Sequence, residues 1–279
     1  SYVENRIMEQ VFGTDRAVME QALSVQSLKD ELAELAANDS ILHIDLQGRD
    51  PDDAFSGVPY TKGQLFLMYL EQKFGRDKFD PFVKQYFDDH AFQSLDTAAF
   101  IHYLDRQLLQ KYPGIVSLDD VNRWIYQPGL PEGTPQPQSD AFNQVQQQAS
   151  SWLSGNASLD SLPTSNWTVH EWLYFINNLP LSITPEQLAE LDASFNLTQS
   201  TNSEIAHAWY LLALKTGYQE IAAPLEQYLI NIGRRKLIIP LYKQLASTPE
   251  GLAFARAVYE KARPGYHPLA QGTVDELLK

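Results

Sequence analysis

The sequence predicts an all-α protein built from two helical bodies. Three observations point there. Apolar residues recur at three- and four-residue spacing along most of the 279 residues, caps and helix-start prolines stand ahead of those runs, and a proline-rich stretch interrupts the pattern near the middle.

The opening YVENRIMEQVFG sets Val3, Ile7, Met8 and Val11 on one helical face. No capping residue precedes it, so the chain is expected to start inside a helix as the tail end of a longer protein. From Thr14 to Leu35 the apolar residues Val18, Ala22, Val25, Leu28, Leu32 and Leu35 mark a long amphipathic helix or a pair, with Thr14 or Asp15 as its cap. Residues 38–59 then lose the helical period, which predicts an irregular stretch with at most one short extended segment. Long ordered loops of this kind more often carry function than not.

Pro59 is expected to hold Val58 extended and to stiffen the entry to Tyr60. After it, Leu65, Leu67, Met68, Tyr69, Leu70 and Phe74 predict a buried helix over 62–74, closed by Gly75. DKFDPFVKQYFDDHAF and LDTAAFIHYLDRQLLQKY read as two more helices, the second capped by Asp96 or Thr97. WIYQPGLPEGTPQPQSDAF breaks every period, with four prolines and two glycines between Gln127 and Gln138. The expected organisation is a first domain over 1–127, a proline-rich linker over 128–140 and a second domain over 141–279. Helices are predicted in the second at 141–153, 168–179, 184–195, 203–215, 218–232, 235–246 and 249–263. Thr184-Pro185-Glu186 and Thr248-Pro249-Glu250 supply helix starts, and paired helices of this length suggest a stack of helical hairpins.

Composition narrows the function. With 44% hydrophobic residues the chain can bury two cores, and 21 Lys and Arg against 35 Asp and Glu disfavour nucleic acid and anionic lipid as partners. No run approaches the roughly 18 apolar residues that cross a bilayer, so this stretch reads as soluble and not as a membrane protein. It leaves the compartment, cytoplasmic or periplasmic, undetermined. The absence of cysteine excludes disulfides and thiolate metal sites. The six histidines are scattered, and His170-Glu171 does not complete H-E-x-x-H because position 174 is tyrosine, so no metal site is expected within the chain. On the residues alone Tyr60 reads either as a packed core phenol or as a fixed hydrogen-bond donor for chemistry.

Four stretches break that tie. DPDDAFSGVPYTKG, residues 50–63, resembles the segment that carries the catalytic tyrosine in zinc aminopeptidases of the aminopeptidase N and leukotriene hydrolase family, the gluzincins. YVENRIMEQVFG looks like the helix after that family's zinc-binding glutamate, WIYQPGLPEGTP resembles its domain junction, and GRRKLIIPLYKQLA is similar to its basic C-terminal segment. The four occur in the family's order and span nearly the whole chain.

The resemblance implies the helical half of a thermolysin-like catalytic domain followed by an armadillo- or HEAT-like helical repeat domain. It implies zinc in the full-length enzyme, with its ligands and general base ahead of Ser1, and hence none bound by this chain, which would be inactive alone. Peptide substrates and the missing zinc-binding part of the same protein are the implied partners. Tyr60 would then be the phenol that donates to the oxyanion of the tetrahedral intermediate. Arg234 and Lys236 match the two cations that grip the substrate carboxylate, a fork and a point charge suited to that task. Without the resemblance they read as a solvated turn. Glu4 matches a carboxylate beside the zinc-binding helices, or simply a charge on an exposed helix face. Asp52 matches an aspartate of the inner pocket, or a turn former after Pro51. Phe55 stands where the vertebrate enzymes carry a tyrosine, which counts against epoxide hydrolysis and favours peptidase activity. The alternative from another class is a non-catalytic helical scaffold that binds a protein partner.

Overall fold

The computed structural model describes residues 1–279, apart from the side chain of Asp53. Among the described residues every regular element is helical, and no helix is long and apolar enough to cross a membrane. The chain divides into two compact units, Ser1–Ser139 and Asp140–Lys279.

The first unit opens with α1 (Tyr2–Phe12) and α2 (Thr14–Glu34). Neither Thr14 nor Asp15 caps α2. The preceding Gly13 takes φ 89°, ψ 163°, a conformation open essentially to glycine, and turns the chain directly from one helix into the next. The face that α1 buries also differs from the expected one. Tyr2 and Asn5 are buried, whereas Val3, Ile7 and Val11 are exposed. Polar chemistry decides this: Arg6 forks onto Asp80 at 2.8 and 3.0 Å and reaches Glu71 at 3.2 Å, while Arg76 forks onto Glu9 at 3.0 and 2.8 Å. The Tyr2 ring meets Phe79 edge to face at 5.7 Å and its hydroxyl donates to Glu71. Forked charge-assisted bonds and an aromatic contact outweigh three aliphatic side chains for which this unit offers no partner surface.

The irregular stretch contains two 3₁₀ turns, Ala37–Ser40 and Pro51–Ala54, and no extended ladder. Helices α3 (Gly63–Phe74), α4 (Arg76–Asp89) and α5 (Thr97–Leu104) follow. α5 runs on through a wide turn at Asp105–Leu109, and Asp96 is its cap, accepting from the Ala99 amide. A further helix, α6 (Leu118–Tyr126), occupies part of the stretch read as aperiodic. Its start is a reciprocal capping box in which Asp120 N–H donates to Ser117 Oγ at 3.1 Å and Ser117 N–H to the Asp120 carboxylate at 2.9 Å. Trp124 of α6 stacks on Phe66 of α3 in a core shared with Leu65, Leu70, Phe79 and Leu104.

In the second unit α7 (Asp140–Leu153) packs on α8 (Val169–Asn177), α8 on α10 (Ser203–Thr216), α10 on α12 (Arg235–Leu245) and α12 on α14 (Pro268–Leu277). α11 (Ala222–Asn231) and α13 (Pro249–Ala262) pack on each other as a second row, and α9 (Pro185–Phe195) lies against the short turns at 159–161 and 197–199. This is a stack of helical hairpins around Trp209, Leu229, Ile238, Leu241 and Tyr242, the helical-repeat architecture that the pairing of caps and apolar runs predicts. α11 begins four residues later than expected because Gly217, in the left-handed region, ends α10. α14 had no expected counterpart; Pro268 at its first turn and His267 as its cap start it.

Candidate functional site

Tyr60 lies in the turn Val58–Lys62, a single wide π-helical turn leading into α3. Val58 is therefore helical and not extended: a proline in a first helical turn lacks an N–H that would have no partner there, so Pro59 begins the helix. Within the turn Val58 and Lys62, four residues apart, point inward and are fully buried, while Tyr60 between them is 50% exposed. The phenol is thus presented outward on hydrogen-bonded backbone, with Thr61 N–H donating to Gly57 C=O at 2.8 Å and Gly63 N–H donating to Tyr60 C=O.

Two side chains absent from the sequence reading hold this turn. The Glu31 carboxylate of α2 accepts from Gly57 N–H with both oxygens, at 3.0 and 3.1 Å, at the positive end of the turn. A methyl group on Gly57 would meet a Glu31 oxygen at 2.6 Å, so the carboxylate would have to move aside to admit it. Lys62, fully buried, donates to Ser40 C=O at 2.9 Å and Gln127 C=O at 2.8 Å. Burial alone pushes its ammonium down to about 8. The loop is fastened further by His43 N–H to Ile125 C=O at 3.0 Å and Gly129 N–H to Ser40 Oγ at 2.8 Å. The proline-rich segment accordingly starts against the first unit, with Leu130 packed on its core. No periodic signal could have found Lys62; a lysine at the head of an otherwise apolar helix was the available hint.

Of the other predicted residues, Phe55 joins Tyr60, its ring edge to face at 5.9 Å and 69% exposed. Asp52 is exposed in the 3₁₀ turn 51–54, its N–H donating to Asp50 Oδ1 at 3.0 Å and its C=O accepting from Phe55 N–H. It forms part of the same loop without a bond to the phenol. Glu4 is exposed in the first turn of α1, outside the Arg6 and Arg76 network, and no contact among the described residues joins it to Tyr60.

In the second unit Arg234 is the N-terminal cap residue of α12, and Lys236 lies in its first turn. Both donate to one carboxylate, Glu204 in the first turn of α10, each at 3.2 Å. Beneath them the His207 ring bonds to Leu237 C=O at 2.8 Å, and burial first of all holds its imidazole below the usual value. Two cations sharing one carboxylate at a helix N-terminus leave positive charge and free amide N–H groups facing solvent, an arrangement that takes an anion. Exposed pairs of this kind hold together by about 0–1 kcal/mol, so a ligand carboxylate can displace Glu204.

Among the described residues no group of three or more His, Cys, Asp or Glu could hold a metal ion. The donors among the described residues do not make up a zinc site of their own.

Two family models match. One is described as the peptidase family M1 domain and covers residues 1–124; the other is described as leukotriene A4 hydrolase, C-terminal, and covers 167–278. Among curated relatives, leucine aminopeptidase 2 of Coccidioides immitis is 31% identical over 288 residues, covering 99% of this chain and 46% of that protein. Leucine aminopeptidase 2 of Pyricularia oryzae is 32% identical, with 99% and 46% covered. Among solved structures, yeast LTA4 hydrolase in complex with bestatin superimposes with a TM-score of 0.87 at 25% identity over 100% of this chain and 48% of that one. The chain thus spans about half the length of the relatives it matches.

Proposed function

As this chain corresponds to the C-terminal part of a peptidase family M1 protein of the leukotriene A4 hydrolase kind, we propose that it serves a zinc-dependent aminopeptidase by supplying an oxyanion donor and a carboxylate anchor. Tyr60 is the donor. A phenol aimed where negative charge develops strengthens its hydrogen bond only in the transition state, a contribution of about 3 kcal/mol when the donor needs no reorganisation. Arg234 and Lys236 bind the C-terminal carboxylate of a peptide in place of Glu204 and so contribute to ground-state affinity. Asp52 and Phe55 line the approach to the phenol, and Glu4 faces the metal-binding part of the longer protein. Zinc and general base come from that part, and the chain by itself does not hydrolyse peptides.

The observation that carries this reading is the half-exposed phenol on a turn fastened from both sides. The test is Tyr60→Phe in a version of the protein extended through its H-E-x-x-H region. The expected result is a fall in kcat of about a hundredfold with KM nearly unchanged. A near-normal rate would leave a helical scaffold as the better description.

A further inference from the structure

Lys62 is the feature of the first unit that the proposed chemistry does not use. A long cationic side chain at 0% exposure is unusual, because burying an ammonium is costly unless bonds replace its water. Here the replacement is two backbone carbonyls from segments far apart in sequence, Ser40 at the end of a 3₁₀ turn and Gln127 just beyond α6. Ion pairing does not account for the burial: both bonded partners are neutral backbone carbonyls. The other end of the same turn is held by Glu31 through Gly57 N–H. One short turn is thus fastened by an anion at its start and a cation at its finish, each reaching a different element, with Pro59 and Tyr60 exposed between them.

We propose that Lys62 is a positioning residue for Tyr60: its ammonium ties the turn 58–62 to Ser40 and Gln127, and with Glu31 at the opposite end fixes where the phenol points. A donor gains its effect by being held before the reaction, and loss of register by about 1 Å forfeits much of it. This rests on the reading of Tyr60 as the oxyanion donor.

The test compares Lys62→Met, Glu31→Gln and Tyr60→Phe in the extended protein, with amide hydrogen exchange at Thr61 and Gly63 measured on this chain. Lys62→Met should lower kcat at least tenfold with KM within about twofold, and speed exchange at both amides at least tenfold while buried amides of α3 keep theirs. Adding Tyr60→Phe to Lys62→Met should then cost far less than it does in the parent. Glu31→Gln, which retains the side chain's shape, should repeat the pattern more weakly and serves if Lys62→Met does not fold. Normal kcat and unchanged exchange in Lys62→Met, beside a crippled Tyr60→Phe, would overturn the clamp and leave the proposed function standing. Normal kcat in Tyr60→Phe would overturn that function and the catalytic purpose of the clamp with it.

Discussion

Replacing Lys62 by Met should abolish a rise in stability with pH that the parent chain shows above neutrality. The ammonium is fully buried, and burial brings its pKa from the ordinary 10.5 to about 8. In the folded chain the proton therefore leaves near pH 8, whereas the unfolded chain keeps it to about 10.5. Between those values the unfolded state binds more protons, so stability climbs with pH, by about 1.4 kcal/mol per unit. Below pH 8 both states are charged, and the full burial penalty of roughly 3 kcal/mol is present. The parent should thus gain about 2 kcal/mol relative to Lys62→Met between pH 8 and pH 10. Tyr103, which burial first of all raises to about 12, and Tyr2, raised further chiefly by the same cause, act in the opposite sense only above pH 10 and cancel in the comparison. Urea unfolding followed by ¹⁹F NMR of 5-fluorotryptophan-labelled chain isolates the effect, because Trp124 is the sole tryptophan of the first unit and the other four lie in the second. A difference between parent and variant that stays flat from pH 7 to pH 10 would show that the ammonium is solvated and would refute the argument.

Exchanging both Arg234 and Lys236 for Gln in the extended protein should raise KM about ten- to a hundredfold for a tripeptide with a free carboxylate, the cost of losing charge-assisted bonds, and leave KM for its C-terminal amide nearly unchanged. Steady-state kinetics on the two substrates reads the difference directly. Gly75→Ala should destabilise the first unit by about 1–3 kcal/mol. Its φ of 77° and ψ of 153° suit glycine alone, and an added methyl group would lie 2.6 Å from Asp77 Oδ1; the same ¹⁹F unfolding experiment measures the loss.

The helices that could be read from sequence were those whose burial pattern is local. α3 buries Leu65, Phe66, Tyr69, Leu70 and Phe74 at helical spacing, and α9 announces itself through Thr184 and its reciprocal partner Gln187. α6 escaped notice because it is short and merges with the proline-rich segment, although Ser117 and Asp120 mark its start. The face of α1 was misjudged for a different reason. Spacing shows which residues share a face, but which face is covered depends on Glu71, Asp80 and Phe79, more than sixty residues away.

The candidate site divides in the same way. Tyr60, Phe55, Asp52, Arg234 and Lys236 belong to short contiguous motifs and were visible as such, because a motif's residue types and spacing are preserved in the sequence itself. Glu31, Ser40 and Glu204 were not, and Lys62 and Gln127, although they fall within two of those motifs, carry no sign there of the bond between them. Sequence by itself determined that the chain is helical and where most helices run, since these follow from local periodicity and capping. Only the tertiary structure decided that a buried lysine and a distant glutamate hold the tyrosine's turn, and that one carboxylate gathers the two cations. Such long-range polar contacts join groups with no fixed separation along the chain.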